Sequence, residues 1–213
     1  MSDPDHSEAD EHLRRADPVM AEIIGRVGPC MLGSRTDRGG PAHDHYGALL
    51  RAIVGQQLSV SAARSIYGRL TERYAGRTPT PAQILAEEPE ELRAAAGLSR
   101  AKVVFLRDLA DRLESGSLRL DDIEEAPDDE IASRLLEVKG VGQWTVDMYL
   151  LFHLGRPDVL PVGDLGIRRA AMLAYRLRKL PQPERLVKLA RPWRPWRSVA
   201  SWYLWASLRV VPV

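Results

Sequence analysis

The sequence is poor in cysteine, and Cys30 is the single residue of that type among 213. One cysteine excludes an internal disulfide, a four-cysteine zinc site and a four-cysteine iron–sulfur cluster. We expect Cys30 to be buried and chemically inert, because no base or partner for it is evident. His43, Asp44 and His45 form a short cluster, but such residues near the start of a helix more often cap it or lie in a solvated loop. We therefore predict no catalytic metal.

Long apolar runs are also missing, since no segment approaches the roughly 18–20 apolar residues that span a bilayer. Residues 1–12 are acidic and lack the apolar stretch of a secretory signal. We expect these first dozen residues to be disordered. Hydrophobic residues make up 45% and charged residues 28% of the chain, which is typical of a soluble globular protein. We expect a cytoplasmic monomer that has no membrane partner.

The net charge is only +1, with 30 basic and 29 acidic residues, but the charges are distributed unevenly. Residues 1–12 carry five carboxylates, and residues 121–130 carry seven, without any lysine or arginine. Residues 164–213 carry eleven basic against two acidic residues and hold four of the five tryptophans. A basic, aromatic-rich segment is typical of a nucleic-acid contact, although a solvated helix face explains the charge equally well.

Strand patterns are absent as well: there is no sustained polar–apolar alternation and no Asn-Gly or Asp-Gly hairpin turn. Helical spacing of apolar residues, together with capping residues and breakers, is found along most of the chain. The approximate helices predicted are 46–58, 59–74, 81–88, 89–97, 100–115, 128–138, 142–153, 164–178, 183–190 and 196–208. The sequence therefore predicts an all-α fold.

The most informative stretch is residues 135–170, in which Gly140-Val141-Gly142 separates two predicted helices. Glycines permit positive φ and close backbone approach, and the first N–H groups of the following helix can hold a phosphate. A tight turn between helices accounts for the same pattern. Asp164 then precedes a helix with Arg168 and Arg169 near its start. An aspartate at such a place most often caps the helix.

Four blocks of sequence together carry a family resemblance: RAIVGQQLS (51–59), EVKGVGQWT (137–145), VLPVGD (159–164) and WRPWRSVASWYLW (193–205). In this order and spacing they resemble the helix-hairpin-helix (HhH-GPD) base-excision DNA glycosylases, and among them the AlkA-like 3-methyladenine DNA glycosylases of type II. The resemblance covers roughly residues 44–209. It implies a monofunctional enzyme that flips alkylated bases such as 3-methyladenine and 7-methylguanine out of duplex DNA. Hydrolysis of the N-glycosidic bond would leave an abasic site, without a catalytic cofactor, in the cytoplasm or at the nucleoid of a bacterium.

The resemblance also implies roles for individual residues. Asp164 falls at the catalytic aspartate, which stabilises an oxocarbenium-like transition state and orients or deprotonates water. Trp144 and Trp205 fall in the lesion pocket, where Met148 and Leu165 replace tyrosines of the best-known pattern. Trp144 also stands where bifunctional relatives carry the lysine that forms a Schiff base, so strand cleavage is not expected. The alternative for the four pocket residues is core packing.

Several positions match DNA-binding elements of the family. Gln57, with Leu58 beside it, falls where the family inserts a wedge into the gap left by the extruded nucleotide; Gln57 could instead cap or bridge helices. A phosphate would be held by backbone N–H groups of the hairpin, and the predicted DNA contacts there are Lys139, Gly140, Val141, Gly142 and Gln143, with Arg168 further along. A structural monovalent cation is implied at the backbone carbonyls of Leu136, Val138 and Val141.

The resemblance implies two helical subdomains with the lesion pocket between them. Residues 44–157 would form the one that bears the hairpin, and residues 1–43 and 158–213 the other. The best-known AlkA relatives have an additional β-containing domain, which the 43 residues before the match are too few to form. Two alternatives stay open: a helix-hairpin-helix DNA-binding module without catalysis, and a glycosylase with another lesion specificity. Mismatch-specific relatives usually carry an iron–sulfur cluster, and 8-oxoguanine enzymes use the lysine, so neither fits this sequence well.

Overall fold

The computed structural model describes residues 5–33 and 44–210. Within these ranges the regular secondary structure is helical and no strand occurs, which confirms the predicted all-α fold. The helices are α1 (Ser7–Ala16), α2 (Pro18–Val27), α3 (His45–Gly55), α4 (Val60–Glu72), α5 (Pro81–Ala86), α6 (Pro89–Ala96), α7 (Arg100–Glu114), α8 (Asp128–Leu136), α9 (Gln143–Phe152), α10 (Leu165–Ala174), α11 (Pro183–Leu189) and α12 (Arg197–Val210), with a 3-10 turn at Arg191–Trp193. No helix in the described ranges is long and apolar enough to cross a membrane.

Each helix predicted from residue 46 onward is present, and two of them end three or four residues before the predicted position. The helix predicted over 46–58 ends at Gly55, because Gln57 has a positive φ of 58° that a right-handed helix cannot contain. The helix predicted to reach residue 178 ends at Ala174, before Arg176 with its φ of 51°. Both ends are followed within two residues by a left-handed residue that is not glycine, which the sequence pattern does not reveal.

The expectation of disorder in the first dozen residues is wrong from Ser7 onward, because these residues form α1. Ala9 and Leu13 lie on one face of α1 and are buried. Asp10 accepts a hydrogen bond from the Tyr203 hydroxyl, at 2.8 Å, so the acidic segment is attached to α12. Burial raises the pKa of the Asp10 carboxyl. The high content of carboxylates led to a prediction of disorder, although the buried face makes this segment an amphipathic helix.

The chain divides into two compact units. One unit comprises Met1–Asp37 and Leu150–Val213, so the two chain ends fold together; the other comprises Arg38–Tyr149. In the first unit α12 packs against α2 and α10, and its fully buried side chains include Met20, Ile23 and Tyr203. In the second unit α7 packs against α3, α5 and α6. The first unit therefore contains Asp164 and the second contains the hairpin.

Three sequence predictions lie near the boundaries of the described ranges. Cys30 is buried, as predicted. Asp44 caps α3 by accepting a hydrogen bond from the backbone N–H of Gly47, which confirms the capping interpretation. His43 lies outside the described residues, and His45 hydrogen-bonds the Tyr149 hydroxyl through Nδ1 at 3.0 Å. Among the described residues, no group of three or more His, Cys, Asp or Glu is arranged to hold a metal ion.

Candidate functional site

Asp164 is placed at the start of α10 as its N-cap residue. Its Oδ1 atom accepts a hydrogen bond from the backbone N–H of Ile167 at 2.8 Å and a second from the indole Nε1 of Trp205 at 2.9 Å. The side chain is half-buried. Because both bonds end on the same oxygen, they hold the plane of the carboxylate in one orientation. The N-cap role and a catalytic role are therefore compatible in this residue.

Trp205 is itself held on two sides. Its ring stacks on Phe152, with ring centroids 5.7 Å apart and an interplanar angle of 28°. Gly166 lies beside the hydrogen bond between Trp205 and Asp164. A Cβ added at Gly166 would be 3.0 Å from Asp164 Oδ1 and 3.1 Å from Trp205 Cδ1. A side chain at position 166 would therefore press on the bond between the tryptophan and the aspartate. The sequence prediction missed Phe152 and Gly166, since neither belongs to a motif with a chemical role.

The loop that leads into Asp164 is fastened to the start of α12. The hydroxyl of Ser198 accepts from the backbone N–H of Val159 at 3.0 Å and donates to the carbonyl of Arg156. The guanidinium of Arg197 forms two hydrogen bonds with the Asp158 carboxylate, of 2.6 and 2.9 Å. These contacts connect the blocks 159–164 and 193–205, which the sequence analysis had joined only by resemblance.

Leu165 and Arg168 follow Asp164 on α10. The Leu165 side chain is 63% exposed, so core packing does not account for this residue. Arg168 donates through Nε to the carbonyl of Pro181 at 2.9 Å, which orients the guanidinium against the 175–182 connection. Most other basic side chains after Asp164 are exposed, namely Arg169, Arg176, Arg178, Lys179, Arg185, Lys188, Arg191, Arg194 and Arg209.

The hairpin connects α8 and α9 through residues 137–142 in the second unit. Gly140 has a φ of 78°, and a Cβ added there would lie 2.1 Å from Cδ2 of Phe105, so both the conformation and the packing require glycine. The backbone N–H of Val141 donates to the Val138 carbonyl, and that of Lys139 donates to Asp108. These two N–H groups thus already have acceptors. The exposed Gly142 and Gln143 lie at the N-terminal end of α9, where backbone N–H groups lack intrahelical acceptors.

The loop after α3 contains the two predicted wedge residues. Gln57 adopts its positive φ at an exposed position, and Leu58 is 38% exposed. The residue that bridges to another element is their neighbour Gln56, which the sequence analysis did not single out. Its amide Nε2 donates to the Gly140 carbonyl at 2.7 Å and to the Thr145 hydroxyl at 3.0 Å. The loop 56–58, which we call the wedge loop, is therefore hydrogen-bonded directly to the hairpin.

Trp144 and Met148 lie four residues apart on α9, so they share one side of this helix. Trp144 is half-buried and Met148 is 7% exposed. Gln143 donates to the carboxylate of the buried Asp147 at 2.9 Å, which fixes the first turn of α9. Residues 144–149 belong to the unit Arg38–Tyr149, whereas Asp164, Leu165 and Trp205 belong to the other unit.

Comparison with known proteins agrees with these elements. The HhH-GPD superfamily of base excision DNA repair proteins matches residues 50–195. The alkylbase DNA glycosidase-like protein mag2 of Schizosaccharomyces pombe is 32% identical over 206 residues, covering 95% of this chain and 94% of that protein. DNA-3-methyladenine glycosylase 1 of the same yeast is 33% identical over 96% of this chain and 88% of its own length.

Solved structures give the same result. The structure of Schizosaccharomyces pombe 3-methyladenine DNA glycosylase (Mag1) in complex with abasic DNA superimposes with a TM-score of 0.84 at 33% identity, covering 93% of this chain and 95% of that one. DNA-3-methyladenine glycosidase from Bacillus halodurans gives a TM-score of 0.78 at 33% identity, with 93% and 88% coverage. The chain therefore belongs to the HhH-GPD superfamily of base excision DNA repair proteins, as the resemblance implied.

Proposed function

We propose that this protein removes alkylated purines such as 3-methyladenine and 7-methylguanine from duplex DNA by hydrolysing the bond between base and sugar. Its relatives are named DNA-3-methyladenine glycosylases, and the protein is an enzyme of this hydrolase class in base excision repair. The observation that carries the finer proposal is the Asp164 carboxylate, held by the first turn of α10 and by the indole of Trp205.

The chemistry of the substrate explains what a carboxylate does at this site. A purine methylated on N3 or N7 is positively charged and leaves as a neutral base, so it needs relatively little help from a general acid. The sugar meanwhile develops oxocarbenium character. A fixed carboxylate stabilises this charge and can orient or deprotonate the attacking water. Orientation by two hydrogen bonds on Oδ1 means that Asp164 requires little rearrangement during the reaction.

Two of the four predicted pocket residues, Trp144 and Trp205, suit the positive charge of such a base. The aromatic faces of Trp144 and Trp205 attract a cation by roughly 0.5–2 kcal/mol, and more strongly where water is excluded. Leu165 is exposed beside Asp164 and provides apolar surface, whereas Met148 is only 7% exposed; the resemblance implies tyrosines at both positions. We propose that each of these four side chains has the base-contacting role that the family resemblance implies for its position. Since Trp144 has no amine, it forms no Schiff base, and the proposed product is an unbroken strand with an abasic site.

Duplex DNA containing damage is the proposed partner, bound by one copy of the protein. Extrusion of a base costs a few kcal/mol, and the gap must be filled. We propose that Gln57 and Leu58 fill it, because they are exposed at the tip of the wedge loop. The N–H groups of Gly142 and Gln143 would hold a phosphate, and exposed arginines and lysines of the carboxy-terminal segment would add contacts to the backbone.

The family also implies a structural monovalent cation at the hairpin, with the carbonyls of Leu136, Val138 and Val141 as its proposed ligands. The donor set fits this group, because neutral carbonyl oxygens suit a monovalent ion. Helix α8 ends at Leu136, and carbonyls in the last turn of a helix lack intrahelical partners. The Val138 carbonyl accepts the Val141 N–H and keeps a second lone pair for an ion. A bound ion would neutralise repulsion among these dipoles and stabilise the turn.

The test is release of free bases from methylated duplex DNA by the wild type and by Asp164→Asn. Asparagine caps a helix about as well as aspartate, so this variant should fold while losing the charge. We expect release of 3-methyladenine or 7-methylguanine to fall at least 100-fold, in line with the loss of one electrostatic contribution to catalysis. Strand breaks should appear only after alkali, which cleaves abasic sites.

Asp44→Asn is the matched control, because Asp44 is also an N-cap aspartate but belongs to α3. It should release bases at the wild-type rate. Equal release by Asp164→Asn and the wild type would overturn the role of Asp164. A wild-type protein that binds DNA but releases no base would favour the non-catalytic binding module.

A further inference from the structure

Three side chains of α7 contact the wedge loop and the hairpin, the two elements of the second unit that we propose to bind DNA. Lys102, Phe105 and Asp108 are spaced three residues apart, and so they lie on one broad face of the helix. Lys102 contacts the end of α3 and the wedge loop, whereas Phe105 and Asp108 contact the hairpin. None of these residues belongs to the four blocks that carry the family resemblance.

Lys102 holds the wedge loop through two backbone carbonyls. Its ammonium donates to the carbonyl of Val54 at 2.7 Å and to the carbonyl of Gln56 at 3.0 Å. Carbonyls at the end of a helix lack intrahelical partners, and a cation there is favoured by the helix dipole. Burial lowers the pKa of the Lys102 amine. The next residue is Gln57, whose backbone is left-handed, so Lys102 fixes the chain just before it turns.

Asp108 and Phe105 hold the hairpin. The Oδ2 atom of Asp108 accepts from the backbone N–H of Lys139 at 2.9 Å, and Oδ1 lies 3.1 Å from the Lys139 ammonium. Burial of Asp108 alone would raise the pKa of its carboxyl, but hydrogen bonds from Lys139 and Arg112 outweigh burial and lower it. The Phe105 ring fills the space beside Gly140. The hairpin is thereby fixed to the same helix as the wedge loop.

Gln56 completes this arrangement. Its main-chain carbonyl accepts from Lys102, while its side-chain amide donates to the Gly140 carbonyl and the Thr145 hydroxyl. The wedge loop and the hairpin are thus connected twice, once directly and once through α7. Such a double connection sets a fixed distance between the wedge loop and the hairpin.

We propose that Lys102 is a positioning residue, which acts through the Val54 and Gln56 carbonyls to hold the wedge loop at a set offset from the phosphate-binding hairpin. The inference rests on the proposed function, because it assigns a geometric role to the two DNA-binding elements. A duplex held at the hairpin presents its gap at one distance only. A displacement of the wedge loop by about 1 Å can lower a rate by as much as 100-fold, even when the residue that moved is remote from the chemistry.

The experiment compares Lys102→Met with Arg100→Met. Methionine keeps an unbranched side chain of similar length and removes the donors, while the control removes a cation from the first turn of the same helix. Arg100 is suited to this because its side chain is 84% exposed. Insertion of the wedge loop is followed by the fluorescence of 2-aminopurine placed beside a tetrahydrofuran abasic-site analogue in a duplex. Base release is measured in single turnover, and affinity is measured on undamaged duplex.

We expect Lys102→Met to lower the fluorescence change and the single-turnover rate by about tenfold, with affinity for undamaged DNA within about twofold of the wild type. Lys102→Arg, which restores a cationic donor, should recover much of both, and Arg100→Met should behave as the wild type. A purely structural role would instead lower affinity, rate and thermal stability together. Wild-type insertion and rate in Lys102→Met would overturn the proposal.

Two further measurements test the proposal if a variant does not fold or if the wild type releases no base. If Lys102→Met does not fold, Lys102→Leu is measured in its place; it also lacks a donor, and unchanged insertion would again contradict the positioning role. The 2-aminopurine duplex reports insertion without any excision. A wild type that inserts its wedge loop but releases no alkylated base would therefore refute the proposed substrate and leave the role of Lys102 to be decided by fluorescence.

Discussion

At the scale of the single residue, Asp164 caps a helix and also presents the carboxylate to which we assign the catalytic role. The side chain does cap α10, which explains why an aspartate stands there. The same oxygen accepts a hydrogen bond from Trp205, 41 positions later, and this bond turns a common cap into an oriented carboxylate. The cap determines where the carboxylate is anchored, and the indole determines the direction in which it faces.

Gly166→Ala tests this orientation. Its new Cβ would press on Asp164 Oδ1 and on Trp205, so we expect base release to fall several-fold. Alanine also stabilises a helix by about 1 kcal/mol relative to glycine, which should offset the crowding in thermal unfolding. Activity and stability should thus separate, as measured by single-turnover release and by melting temperature.

Gly68→Ala is the matched change, because Gly68 lies within α4 and an added Cβ meets nothing within 4 Å. This control should melt at a higher temperature than the wild type and keep its rate. Base release by Gly166→Ala at the wild-type rate would show that the crowding does not reach the carboxylate.

At the scale of the element, the hairpin and the wedge loop owe their shapes to contacts with α7. Helix α3 stops at Gly55, where the flanking carbonyls of Val54 and Gln56 bind Lys102 and Gln57 turns left-handed. Gly140 is required by its φ and by the Phe105 ring beside it. Periodicity places these helices along the chain, but it carries no information about which helix holds a loop.

Gly140→Ala should weaken binding to damaged and undamaged duplex alike, by tenfold or more, because the hairpin backbone must move away from Phe105. The measurement is a DNA titration by fluorescence anisotropy. Gly76→Ala has a matching φ of 76° but open space around the new Cβ. It should cost about 1–3 kcal/mol of stability and leave DNA affinity unchanged. Equal DNA affinities of the two variants would show that the hairpin is not part of the surface that contacts DNA.

At the scale of the whole molecule, one compact unit is built from both ends of the chain. Asp17 shows how the ends are joined. It is 7% exposed, caps α2 through the N–H of Val19, and accepts hydrogen bonds from the Tyr175 hydroxyl and from Trp193 Nε1. Burial and the hydrogen bond to Asp17 raise the pKa of the Tyr175 hydroxyl.

Asp17→Asn should destabilise this unit by about 2–4 kcal/mol, because asparagine retains the cap but loses the charge that two buried donors share. Urea unfolding followed by tryptophan fluorescence measures the change, since four of the five tryptophans lie between residues 193 and 205. Asp44→Asn, an N-cap change in the other unit, should leave this transition nearly unchanged. If Asp17→Asn unfolds at the same urea concentration as the wild type, the hydrogen bonds of Asp17 make no net contribution to the free energy of unfolding.

The sequence by itself determined the all-α class, the order of the helices from residue 46 onward and the positions of Asp164 and the hairpin. These features depend on near neighbours: apolar spacing, caps, breakers and short motifs. The tertiary structure alone decided that Trp205 binds Asp164, that Lys102 and Gln56 join the wedge loop to α7 and the hairpin, and that the acidic amino terminus folds as α1. Such contacts join segments from 41 to 193 positions apart, and only packing of the helices brings those side chains together.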